Sequence, residues 1–304
     1  MTFRANLAFA VATSVLAACA RGNDQASARP QVPAAVHSAP RAPEVRSLPD
    51  SVPQVAGPRL QLDEGAFGLS NSDGDALIVL DTLVNPSRFH TAICADARLV
   101  PVSYVRYQEA SQHTVNKIAA NFDSLTGDVY RVVAGSAPQD ATCYLSADSA
   151  LLASAVPVHW TTAAPCDSTL AASIIAAKHR PLVRCWRLAV VTPQVTLAAA
   201  QFAIQDTSDL AALVLLDHGQ LLFEDFPAQY LGPGNFAWRA DDGGEFTPDG
   251  FGILFLARVR GVDVMGVTWA AAEGEDAYIE VADSAASFRT VSSTYRYWAG
   301  DAGD

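Results

Sequence analysis

The sequence predicts an α+β fold made predominantly of antiparallel β structure, a sandwich or a propeller-like arrangement, with about two helices. Three observations lead there. Short runs rich in β-branched and aromatic residues recur along the chain. Turn formers such as Asp217-His218-Gly219-Gln220 and Arg260-Gly261 separate them, and only two segments carry a helical period. No repeat of about 20 to 50 residues stands out, which favours a sandwich over a propeller.

At the N-terminus, Arg4 is the only charged side chain before Cys19, and an uncharged, largely apolar stretch runs from Ala5 to Ala18. A helix that crosses a bilayer needs about 20 apolar residues. This run is shorter and is followed at once by Arg21 and Asp24, so residues 1–18 read as a signal peptide. Its end, Leu16-Ala17-Ala18-Cys19, resembles the lipobox of bacterial lipoproteins at all four positions. The resemblance covers the leader alone. It implies cleavage before Cys19, diacylation of that thiol and attachment to a membrane. In Gram-negative members of this class an Asp directly after the cysteine retains the protein in the inner membrane; Ala20 stands there instead, which points to the outer membrane. The residues alone also allow an ordinary secretory signal with an incidental cysteine.

Residues 19–57 begin with Cys19 and continue in Ala, Pro, Ser, Gln and Val with scattered Arg, including Pro30, Pro33, Pro40, Pro43, Pro49 and Pro53. So few large apolar groups cannot offset the entropy of ordering the chain, and the prolines favour extended backbone, so a disordered tether is expected. At about 3.1 Å per residue it reaches on the order of 100 Å when stretched. Residues 58–304 remain for a globular β-rich domain, with a candidate sub-boundary near 205–210, where Gln205-Asp206-Thr207-Ser208 interrupts the apolar pattern.

Charge then limits the partners. From Pro58 onward there are 15 basic and 29 acidic side chains, and the only lysines are Lys117 and Lys178. Nucleic acid, bound mainly through clustered Lys and Arg on phosphates, is thereby disfavoured. With Cys19 assigned to lipid, Cys94, Cys143, Cys166 and Cys185 are left. An even count in an exported domain predicts disulfides, and the pairing Cys94 with Cys143 and Cys166 with Cys185 is preferred because each pair brackets a compact segment. A zinc site has no Cys-x-x-Cys or His-x-x-x-His spacing to support it.

Within the domain, one helix is expected over 111–122, where Val115, Ile118, Ala119 and Phe122 recur at i, i+3, i+4 and i+7. A second is expected from an Asp167 N-cap through Leu170, Ala171, Ile174 and Ile175 to Lys178 and His179, with Pro181 ending it. Strands are expected over 76–81, 98–107, 128–133 and 183–191. Two hairpins follow: 213–216 with 221–223, and 251–259 with 262–269, the first strand of the latter apolar at nearly every position as if covered on both faces. The last strand, 288–298, alternates Val291, Tyr295 and Tyr297 against Thr290, Ser292, Thr294 and Arg296.

Chemical motifs are scarce. Gly135-Ser136-Ala137 lacks the nucleophile-elbow pattern, His-Glu-x-x-His is absent, and Gly232-Pro233-Gly234 has neither the third glycine nor the backbone donor that a phosphate loop requires. The densest polar run, 241–250, offers Asp241, Asp242, Glu245 and Asp249 as a candidate calcium loop without EF-hand spacing; a solvated acidic turn is the simpler expectation. Asn71-Ser72-Asp73-Gly74-Asp75 and Glu273-Gly274-Glu275-Asp276 read the same way, the latter as a hairpin tip. Glu224 and Asp225 are neighbours on a strand, point to opposite faces and cannot form a catalytic pair with each other. Trp160, Trp186, Trp238, Trp269 and Trp298 are expected mostly in the core, and His90, His113, His159, His179 and His218 are scattered singly with no assigned role.

These readings favour an exported, membrane-anchored envelope lipoprotein without a resident cofactor. Its domain would bind or scaffold an envelope glycan or protein without catalysis. The alternative is a hydrolase of envelope polymers, glycan or peptide, built from carboxylates on scattered loops. Two close carboxylates in a cleft, one of them holding its proton, would favour the enzyme.

Overall fold

A computed structural model describes residues 60–62, 65–111, 116–160, 164–232, 234–239, 246–283 and 286–298. It is mostly antiparallel β structure, two sheets in a sandwich-like arrangement beside a small barrel.

The barrel comes first in the chain. Its strands are β1 (Gly65–Ser70), β2 (Ala76–Val79), β3 (Thr91–Cys94), β4 (Arg98–Gln108), β5 (Gly127–Val132) and β6 (Thr142–Ser146), closed in the order β1-β2-β5-β4-β3-β6. Closure leaves no unpaired edge to attract another strand. Leu77, Val79, Phe89, Ala92, Tyr130 and Leu145 fill the interior. Asn71–Asp75 turns β1 into β2: the Asn71 side-chain oxygen accepts from the backbone N–H of Asp75 and of Ala76, and Gly74 supplies the positive φ.

After the barrel, helix α1 (Ser149–Ser154) is capped by Asp148, whose carboxylate accepts from the N–H groups of Ala150 and Leu151. Strand β7 (Ala164–Pro165), helix α2 (Ser168–Lys178) and strands β8 (Leu182–Thr192), β9 (Val195–Phe202), β10 (Leu210–Asp217) and β11 (Gln220–Pro227) follow, with sheet order β11-β10-β9-β8-β7. Gln205 and Ser208 pair with each other in the tight turn that joins β9 to β10. A small hairpin of β12 (Gln229–Gly232) and β13 (Asn235–Ala237) leads to the four-stranded sheet, β14 (Phe251–Val259), β15 (Val262–Ala270), β16 (Gly274–Ala282) and β17 (Phe288–Tyr297), paired in sequence order.

Three packed interfaces hold these parts together. One face of the four-stranded sheet meets the five-stranded sheet through Ile253, Met265, Val267 and Trp269 against Leu188, Leu197, Leu213 and Leu222. Its other face meets the barrel through Phe255, Val264, Ile279 and Val281 against Phe67, Ile93 and Tyr144. Helix α2 covers the outer face of the five-stranded sheet with Leu170 and Ile174 on Ala198, Phe202, Val214 and Phe223. The four-stranded sheet is therefore the central layer, which is why β14 is apolar on both faces.

Both predicted disulfides are present. Cys94 and Cys143 join β3 to β6 with Cα atoms 4.3 Å apart, and Cys166 and Cys185 join the start of α2 to β8 at 5.4 Å. Helix α2, its Asp167 cap and the hairpins at 217–220 and 259–262 form as expected.

The helix expected over 111–122 is not formed in the residues described, 112–115 lying outside them. Ile118 is extended, and a 3-10 helix follows over Ala119–Ser124. The Lys117 N–H, which an α-helix would use, donates instead to the Tyr297 carbonyl at 2.7 Å, and the buried Gln108 amide holds the 3-10 turn by donating to the Phe122 and Leu125 carbonyls at 2.8 and 2.9 Å. Ala119, Phe122 and Leu125 are buried at intervals of three, the period of the tighter helix. No helix among the described residues is long and apolar enough to cross a membrane.

Candidate functional site

Among the described residues, polar chemistry gathers at a cleft at one end of the sandwich and at a pair of carboxyls, partly buried Glu224 and buried Glu280, where its two sheets meet. The cleft has a volume of about 200 Å³. Val156, Val191, Val195, Leu215, Leu256 and Val264 make its walls, while Ser154, Thr192, Asp217, His218, Arg258 and Asp263 bring polar groups to it.

Two hairpin turns of one type build its mouth. In the β10–β11 turn His218 and Gly219 have φ of 47° and 87°, and in the β14–β15 turn Arg260 and Gly261 have 53° and 84°. Two consecutive positive φ values define the type I′ turn, whose twist matches that of the strands it joins. The first turn holds Asp217 beside His218, and the second hairpin holds Arg258 directly opposite Asp263. Asp217 Oδ1 lies 2.6 Å from His218 Nδ1, and its Oδ2 accepts from Arg258 Nη1 at 2.6 Å. Arg258 also reaches within 3.8 Å of Asp263 Oδ1. Burial, and next the charge of Asp217, push the Asp263 carboxyl above the usual carboxylate range.

A His beside a carboxylate invites comparison with a serine-hydrolase arrangement, and Ser154 lines the same cleft. Its hydroxyl, however, donates to the Ala150 carbonyl at 2.7 Å, back-bonding within α1. The arrangement is better suited to holding a small ligand, with apolar walls for its body and charged groups at the mouth for its polar end.

The carboxyl pair consists of Glu224 on β11 and Glu280 on β16. Glu224 shares the inward face of β11 with Leu222 and Phe226, and Glu280 shares the inward face of β16 with Tyr278 and Ala282. Glu280 is only 1% exposed; its Oε1 accepts from Thr290 Oγ1 at 2.7 Å, and its Oε2 has no donor of good geometry. Burial, and then the facing charge of Glu280, raise Glu224 to about 8; Glu280 is raised as well, chiefly by burial. Asp225, on the opposite face, accepts from Lys178 Nζ at 2.7 Å, as strand alternation requires. Glu224 thus finds its partner in a strand 56 residues away in the chain.

The remaining candidates fall as follows. Asp241, Asp242 and Glu245 of the calcium-loop expectation lie outside the described residues; Asp249 lies in a 3-10 turn over Pro248–Gly250. Among the described residues no group of three His, Cys, Asp or Glu side chains is placed to hold a metal. Trp269 belongs to the core, with Trp160, Trp186 and Trp238 packed against the same cluster; Trp298 lies under the Arg296 guanidinium, 5.0 Å from its ring centre. Sequence reasoning did not single out the cleft. His218 is indistinguishable from the other scattered histidines until the two hairpins meet, and the pairing of Asp217 with Arg258 crosses sheets.

Comparison with known proteins finds no matching family model, no matching relative and no matching solved structure.

Proposed function

We propose that this chain is an exported lipoprotein, lipidated on Cys19 and tethered by residues 19–57 to a membrane, the outer one by the identity of Ala20, and that its β-rich domain works by binding. The observation that carries the binding reading is the cleft between the hairpin tips, with apolar walls and the Asp217–Arg258 ion pair at its mouth. Two disulfides support an oxidising compartment outside the cytoplasm. The lipobox and the proline-rich segment after it support the anchor and the tether. The ligand on this reading is a small envelope molecule, or the end of a glycan or peptide, with a compact apolar group and a polar terminus. No calcium or other cofactor is part of the reading.

The hydrolase reading has one observation in its favour, the close carboxyls of Glu224 and Glu280. A glycosidase or peptidase pair must touch substrate, and a side chain 1% exposed inside a sandwich cannot. Binding is therefore preferred. Thr192 is an exposed residue at the cleft, and Thr192→Trp would block the mouth while leaving the core alone. Native mass spectrometry of protein recovered from envelopes should show a bound small molecule on the wild type that is absent from Thr192→Trp. Equal ligand load on both would place binding elsewhere.

A further inference from the structure

We infer that Glu224 and Glu280 form a pH-sensitive latch, in which one shared proton holds the β11 edge of the five-stranded sheet against β16 of the central sheet. Geometry is the first support. At this edge Phe223 pairs with Ser287, and the Phe223 N–H donates to the Ala286 carbonyl at 3.3 Å. Glu280 is buried on β16, with one oxygen satisfied by Thr290 and the other without a well-placed donor. The Glu224 carboxyl faces it from the other sheet, so a protonated Glu224 supplies the missing donor.

The nearest neighbours of the pair on its own face are apolar, and the charges around it act in opposite senses. Leu213 lies beside Glu224 on β10 and Met265 beside Glu280 on β15, both apolar and buried. Of the charged neighbours, Lys178 from α2 favours ionisation of Glu224 but is itself paired with Asp225 on the far face of β11, at 2.5 Å from Oδ2. Asp225 opposes ionisation of Glu224, Arg289 on β17 favours ionisation of Glu280, and Tyr278 on β16 is neutral. Two negative charges in this gap repel in a low-dielectric setting, whereas one proton between them converts repulsion into a charge-assisted hydrogen bond.

The sign of the effect follows from proton linkage. The folded pair keeps a proton that an unfolded chain releases near the ordinary glutamate value of 4.5. Stability therefore falls as pH rises above that value, until Glu224 has titrated at about 8, and is level beyond. In the alkaline part of this range the β11 edge should loosen before the rest of the sandwich.

The test uses the full-length chain in mild detergent, labelled with carbon-13 only at glutamate carboxyl carbons. One glutamate carboxyl should titrate near pH 8 by NMR. Over the same range, exchange protection of the β11 amides from Leu222 to Phe226 should fall by about tenfold, while the barrel stays protected. In Glu224→Gln, whose amide donates to Glu280 at every pH, that fall should shrink to about twofold or less. Titration of every glutamate below about pH 6 would overturn the latch without needing any variant. An undiminished fall in protection in Glu224→Gln would overturn it as well.

Discussion

Arg258 and Asp217 meet at 2.6 Å across the mouth of the cleft, joining the tips of two hairpins that belong to different sheets. Asp217 is mostly buried, while the Arg258 side chain is 55% exposed, so solvent screens much of the attraction.

Arg258→Ala should accordingly cost about 1 kcal/mol of stability, measured by denaturant unfolding. The sharper readout is Asp263. Its carboxyl is already raised by burial and by Asp217, and Arg258 opposes that rise. Removing the arginine should move the Asp263 titration further upward in an NMR pH series. A group raised in the folded state adds stability as pH falls through its folded value, so the variant should regain part of its loss on acidification. A downward move of Asp263 would contradict this description of the mouth.

The two disulfides should not be equivalent. In the chain-entropy estimate the Cys94–Cys143 link, 49 residues apart, is worth about 4 kcal/mol, and the Cys166–Cys185 link, 19 apart, about 3 kcal/mol. Cys94 and Cys143 are also fully buried in the barrel, whereas Cys166 and Cys185 lie at the margin of the α2 core. The Cys94→Ala/Cys143→Ala double variant should therefore melt lower than Cys166→Ala/Cys185→Ala. Calorimetry decides it, and equal melting temperatures would argue against the barrel link as the main brace.

Deleting Ala20 to Ala56 should leave the main thermal transition unchanged, because that stretch holds few side chains able to join a core. A drop in the transition of several degrees would show that the segment docks on the domain.

Local signals carried far in this sequence. Asp167 and Pro181 bracket α2, and the Asp217–Gln220 and Arg260-Gly261 turns give both hairpins, because caps and two-residue turns are specified by adjacent residues. The disulfide pairing was legible from spacing. Two runs misled: 111–122, whose helical period yields to bonds with Gln108 and Tyr297 that no local pattern reveals, and 273–276, expected as a hairpin tip, where Gly274, Glu275 and Asp276 instead begin β16, the latter two paired with β15. The strands of the barrel that are short or carry glycine, β1, β3 and β6, passed unnoticed because four to six residues give too little alternation to read. The candidate site groups were hidden for a related reason. Glu224 could be read as facing away from Asp225, but only the packing of one sheet on another supplies Glu280. The cleft likewise exists only where two hairpins converge.

Membrane attachment through Cys19 is the central claim of the proposed localisation, and cell fractionation of Cys19→Ala tests it most directly. Wild-type chain should sediment with membranes and stay there through a high-salt wash, while the variant should move to the soluble fraction, since no described helix is long and apolar enough to cross a membrane and the apolar run from Ala5 to Ala18 is too short to span. A variant that remains in the washed membrane pellet would contradict the account.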